Sequence, residues 1–208
     1  MKFSENTLSI LKNFNAINPN IFVKHGNLLS TINASETIFA KAEVAETFEV
    51  DFAIYELGSL LGALSLFENP EVEFGDTSLL ISKDSKTIKY GYADPSTILS
   101  PKKSTIDIGA DVISLELSKD DIASVLKASS VIDLPHVSLV GNDSNLFLKS
   151  SNKKNPATDC FTLNLHQSTD KKFEAVILIE RLQSLLPGAY IVEISPKGLI
   201  HWSNKNLN

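Results

Sequence analysis

The side chains best suited to chemistry in this 208-residue chain are cations carried on helix-like stretches. Lys12 falls on the polar face of an amphipathic segment near the start. Lys119 and Lys127 flank the polar face of a second such segment, opened by Ser118. Cations presented this way suit phosphate contact if both faces turn toward one surface. Otherwise they are simply hydrated helix faces. The usual catalytic groupings are missing. His25, His136, His166 and His201 are scattered over predicted turns and strands, and none is close enough to another to form a His-x-x-x-His pair. Asp120-Asp121 is an acidic pair, but the first turn of a helix already favours acids through the helix dipole. Cys160, the lone cysteine, is predicted to be a small buried hydrophobe in a strand. No glycine-rich phosphate loop or paired-cysteine motif occurs, so neither metal nor cofactor is expected. Asn33-Ala34-Ser35 matches a glycosylation acceptor, which matters only in a secreted protein.

Composition sets the background. The net charge is −6, from 25 acids against 19 lysines and arginines, and bulk charge argues against a nucleic-acid coat or a binder of anionic membranes. How the charge is distributed then becomes the deciding question. No apolar run approaches the roughly 20 residues that span a bilayer, and Met1–Asn6 lacks the features of a signal peptide. One cysteine allows no internal disulfide, so a reducing, cytosolic setting is expected.

The elements that must position the cations repeat. Residues 4–14 place Leu8, Ile10, Leu11 and Phe14 on one helical face, with Ser4 as N-cap and Asn18-Pro19-Asn20 as the stop. Strands are predicted at 21–24, 28–32 and 37–44, and a single alternating strand through Phe48, Val50, Phe52 and Ile54. The period switches at 56–67, where Leu57, Leu60, Leu61, Leu64 and Phe67 form a stripe opposite Gly58, Gly62 and Ser65. Three short strands follow, to residue 91.

After a connector at 92–108, with Pro95 and Pro101, the same order recurs. A strand at 112–117 leads into the helix from Ser118 to about Ser130, and strands are predicted at 137–140, 146–149, 161–167 and 173–179. A short helix at 180–186, begun by Glu180-Arg181, and strands at 189–194 and 199–202 complete it. Residues 149–156 and 168–172 read as loops. The expected architecture is α+β: two similar modules, 1–91 and 109–208, of antiparallel sheet with helices on one face.

Several segments carry a family likeness: Leu11-Lys12-Asn13-Phe14 with Ile17-Asn18, Ala53-Ile54-Tyr55 with Leu57, Leu61-Gly62 and Leu64-Ser65-Leu66, Ala93-Asp94-Pro95-Ser96-Thr97, and Pro187-Gly188 with Tyr190. In these the chain resembles the sliding clamps, or DNA polymerase processivity factors, of T-even-type bacteriophages. The resemblance implies the DNA-clamp fold and a homotrimeric ring with helices lining the pore, closed head to tail by open sheet edges. It implies double-stranded DNA held without sequence preference, a tethered replicative DNA polymerase, an ATP-driven clamp loader, a link to late transcription, and no enzymatic activity. Such a protein works in the cytoplasm of the infected bacterial host.

By matching position, the resemblance assigns DNA contact to Lys12; Lys119 and Lys127 follow by equivalent placement on the second module's opening helix, and Arg181, at the start of the last short helix, is a weaker candidate. It places a partner-binding groove between the modules, bordered by Tyr92, Ile98 and Leu99. Members of the family continue past the position of Asn208 with a further strand and an acidic tail. Two other readings compete. A small two-module metalloenzyme would draw ligands from His25, His166 and glutamates. A non-enzymatic phage adaptor would oligomerise without DNA-dependent behaviour.

Overall fold

The computed structural model describes residues 1–155 and 159–207. The chain divides into two compact units, one running from Met1 to Ile106 and the other from Asp107 to Leu207. The first holds α1 (Glu5–Ile17), β1 (Ile21–Val23), β2 (Gly26–Ile32), β3 (Phe39–Phe48), β4 (Phe52–Ile54), α2 (Leu57–Ser65), β5 (Glu71–Phe74), β6 (Ser78–Lys83) and β7 (Lys86–Gly91). The second holds β8 (Ile113–Leu117), α3 (Lys119–Val131), β9 (His136–Asn142), β10 (Asn145–Ser151), β11 (Phe161–Ser168), β12 (Lys172–Leu178), α4 (Ile179–Gln183), β13 (Tyr190–Ile194) and β14 (Ile200–Asn204). The fold class is α+β, and every pairing is antiparallel.

The two units repeat a wiring plan that strand order alone does not reveal. In the second unit, β8 precedes the long helix and pairs with β13, the strand after the short helix. In the first, the two residues ahead of Phe3 do the same job. Met1 and Val72 exchange both backbone hydrogen bonds, at 2.8 and 2.7 Å, which sets the chain start beside β5. β1 pairs with β4 as β9 pairs with β12, and β2 pairs with β3 as β10 pairs with β11. Each long helix then lies on the corresponding hairpin, α1 on β2 and β3, α3 on β10 and β11.

The cores differ in chemistry. In the first unit Phe3, Phe48, Phe52 and Phe74 meet as tilted and edge-on rings and Tyr92 stacks on Phe52, with centroids 5.2–6.4 Å apart. The second unit buries an aliphatic cluster, Leu115, Leu117, Val125, Val137, Leu139, Leu148 and Val192 among others. Each such side chain contributes roughly 1.5–3 kcal/mol on burial.

Several sequence expectations need correction. The alternating strand through 48–54 is broken: Phe48 ends β3 opposite Gly26, and Val50 is exposed before β4 begins. Asp51 causes the bend, since its Oδ1 accepts from His25 N at 2.6 Å and pins the turn. β4 then buries all three of its residues instead of alternating. α1 continues past the Leu8–Phe14 stripe to Ile17 and stops at Asn18, as Asn18-Pro19-Asn20 predicts, because the α conformation becomes unfavourable before Pro19. Lys149–Ser151 belong to β10, because Lys149 pairs with both Ser138 and Thr162, so the expected 149–156 loop is shorter. Pro156 lies outside the described residues. Cys160 is exposed just ahead of β11, and is not a buried strand residue.

Candidate nucleic-acid interface

Each long helix offers a solvent-facing stripe, set by what holds its first turn. Ser4 caps α1 by accepting from Thr7 N at 3.2 Å. A second anchor comes from the sheet. Glu46 of β3 points inward, and its carboxylate accepts hydrogen bonds from Ser4 N and Thr7 Oγ1. Burial would raise its pKa, but these bonds to the ionised form outweigh it and hold the group below the ordinary carboxylate value. At the other end Asn18 Nδ2 donates to Ile32 O at 2.9 Å and to Leu99 O at 3.3 Å. With both ends fixed, Ile10, Leu11 and Phe14 are buried, while Glu5, Ser9, Lys12 and Ala16 face solvent.

α3 is capped by its own sequence. Ser118 Oγ accepts from Asp121 N at 3.1 Å, and Asp121 Oδ2 accepts from Ser118 N at 2.8 Å, a reciprocal capping box. Ile122 and Val125 turn inward, which leaves Lys119, Asp120, Ser124 and Lys127 exposed. Arg181 is the third residue of α4 and does not begin it; it is half-buried, and α4 packs against α3.

Among the described residues, Lys12, Lys119, Lys127 and Arg181 take part in no ion pair, whereas Lys2, Lys153, Lys171, Lys197 and Lys205 each meet a carboxylate. α2 carries no charge, and its exposed face is Gly58, Ser59, Gly62 and Ser65. Across the four helices the four cations are matched by Glu5, Asp120, Asp121 and Glu180. The helices are therefore neutral, and strands and loops carry the whole −6. A helix face without net charge repels a polyanion less than an acidic face does.

The connector residues are placed within the first unit. Tyr92 stacks on Phe52, with centroids 5.5 Å apart, and burial pushes its phenol pKa up. Ile98 is buried, and Leu99 stays exposed while its carbonyl is held by Asn18. Tyr55, Glu56, Lys89 and Tyr90 join Tyr92 around an open surface depression. Reading the sequence alone gave no site role to Tyr55, Lys89 or the anchoring Glu46. The β3 alternation places Glu46 on the inward face with Val44 and Phe48, and a charge at an inward position was the available signal. His25 and His166 are both exposed, and among the described residues no group of three His, Cys, Asp or Glu side chains could hold a metal ion. No helix among them is long and apolar enough to cross a membrane.

A duplicated unit with one long and one short helix on antiparallel sheet is the DNA-clamp fold. The A. fulgidus proliferating cell nuclear antigen (PCNA) superposes with a TM-score of 0.66 at 10% identity over 96% of this chain and 95% of that one. A DNA polymerase III β sliding clamp from Bartonella birtlesii gives 0.68 at 15% identity, over 97% of this chain and 63% of that one. Sequence narrows the class. The family described as DNA polymerase processivity factor matches residues 3–100. The sliding clamp of Enterobacteria phage T4 is 30% identical over 156 residues, 74% of this chain and 68% of that protein. That of Vibrio phage KVP40 is 27% identical over 208 residues, 96% of this chain and 92% of that one. The chain belongs to the family of T4-type phage sliding clamps.

Proposed function

We propose that this chain encircles duplex DNA and tethers the replicative DNA polymerase for processive synthesis, without catalysing a reaction itself. The observation that carries this reading is the repeated wiring of the two units, which gives equivalent places to α1 and α3, helices whose charges balance in an acidic protein. Residues 1–91 and 109–208 are the two clamp modules, joined by the connector 92–108. Lys12, Lys119, Lys127 and, more weakly, Arg181 touch the phosphate backbone. Such contacts carry no sequence information and weaken with salt, as a sliding protein requires.

The open edges support head-to-tail closure into a ring, which the family resemblance puts at three copies. The free side of β5 is covered by Met1, which leaves β7 as the open edge of its sheet, and β11 is an edge of the four-stranded sheet. At His166 the backbone turns to a φ of 54°, so regular pairing along β11 is limited to Phe161–Leu165, a length comparable to β7. Each of these edges belongs to a unit whose helix end exposes a large apolar side chain, Leu66 after α2 and Val131 at the end of α3. Head-to-tail pairing of β7 with β11 of the next copy covers both edges. Tyr92 and Leu99 border the polymerase docking groove, with Ile98 anchoring the connector beneath it. An ATP-driven loader opens the ring in the cytoplasm of the infected bacterium, and the same ring serves late transcription.

The decisive experiment measures retention on DNA after loading. The protein is expected to stay on closed circles and to run off after linearisation; equal retention on both forms overturns sliding. In the double variant Lys12→Ala/Lys127→Ala, DNA-stimulated loading should fall while native mass spectrometry still shows a trimer. Loss of the trimer in that variant assigns these lysines to assembly instead.

A further inference from the structure

Leu8 and Lys12 lie one turn apart on α1, and both line a cleft between α1 and α2. The rest of its wall is mostly apolar, chiefly Phe3, Leu61, Leu64 and Phe67, with Ser65 and Asn69 as uncharged polar members, and Lys12 is the one charged residue among those lining it. The cavity measures about 130 Å³, close to the roughly 150 Å³ at which an apolar protein cavity takes up benzene. Lys12 at the mouth is exposed and makes no ion pair among the described residues. We propose that this cleft binds a small monocarboxylate with an aromatic or branched aliphatic body, the hydrocarbon between α1 and α2 and the carboxylate on Lys12 Nζ. A neutral guest leaves the cation unanswered, and a dianion brings a second charge with no second cation in the wall to meet it. The walls supply affinity by apolar burial, and the lysine supplies selectivity for the acid. Because Lys12 is exposed, that selectivity is modest. Occupancy would also withdraw Lys12 from phosphate, but binding of the acid stands whether or not this helix faces DNA.

The test uses the full chain and two probes of the same shape, phenylacetate and its neutral amide, phenylacetamide. Methyl resonances of Leu8, Leu61 and Leu64 are followed by NMR. Both probes should give saturable shifts at millimolar concentration, with the acid binding about fivefold more tightly at low salt. Lys12→Met should erase the difference while keeping the shifts, and Leu61→Trp, which fills the cleft, should abolish both. Absence of saturable shifts in the unsubstituted protein overturns the site, and so does undiminished binding to Leu61→Trp. Equal affinity for acid and amide overturns the role given to Lys12.

Discussion

Glu46 and Gln167 occupy corresponding strands, β3 and β11, and each reaches back to the backbone just ahead of its unit's long helix. Glu46 meets Ser4 N and Thr7 Oγ1, both donors. Gln167 brackets Glu116 in the strand before α3, accepting from its N–H at 2.9 Å and donating to its carbonyl at 2.6 Å. The difference follows from what each group can do. A carboxylate only accepts, so it needs two donors, and α1's unsatisfied first turn with the Thr7 hydroxyl supplies them. An amide does both, so it can pair with a strand residue that offers one donor and one acceptor. The tie that fixes α1 is thus charged and buried across about 40 positions, whereas α3 caps itself through Ser118 and Asp121 and takes a neutral clip as an addition.

Removing the two ties is the strongest way to break the comparison. Glu46→Ala leaves Ser4 N and Thr7 Oγ1 without their partner in a buried setting and should cost about 2–4 kcal/mol. Gln167→Ala should cost about 1 kcal/mol, because its site is exposed and Glu116 can be hydrated. Chemical denaturation, with amide exchange reporting on α1 and α3 separately, measures both, and equal losses would refute the asymmetry. Next in size is Gly141→Ala, specific to the second unit. A Cβ there would lie 2.5 Å from the Phe173 ring and 2.7 Å from Lys171 O, so a loss of about 1–3 kcal/mol is expected in thermal unfolding. By contrast Gly62→Ala, in the interior of α2 with nothing within 4 Å of the new Cβ, should gain about 1 kcal/mol.

The finest test is pH. The folded-state pKa of Glu46 lies below its ordinary value of 4.5, so its contribution is complete above that value and is lost as pH falls through the folded pKa. Amide protection of α1 should therefore fade in acid before that of α3. Gln167→Glu should behave oppositely: its ionised carboxylate cannot donate to the Glu116 carbonyl, so stability lost at neutral pH should recover in part as pH falls and the acid can donate again. A variant that weakens in acid would show that Gln167 does not clip Glu116.

How much of this was legible depended on the range of the interactions involved. α3 and its Ser118 cap were readable from Ser118-Lys119-Asp120-Asp121, because every partner lies within three residues; that Asp121 returns a bond to Ser118 N is seen in the structure. The stripe of α2 and the exposed positions of Lys12, Lys119 and Lys127 were readable from periodicity. The break between Phe48 and Phe52 was not, since hydropathy alternates straight through it and only Asp51 meeting His25 produces the bend. Arg181 looked like a helix start, but α4 begins at Ile179 and packing against α3 half-covers the side chain.

The order of elements, the helix faces and the acidic balance are properties of the sequence alone, since period and charge count need no partner. Tertiary structure decided which distant groups meet: Met1 beside Val72, Glu46 under the first turn of α1, Lys12 at the lip of an apolar cleft. Those pairings join residues some 40 to 70 positions apart, where backbone geometry sets the distance and no local pattern encodes it.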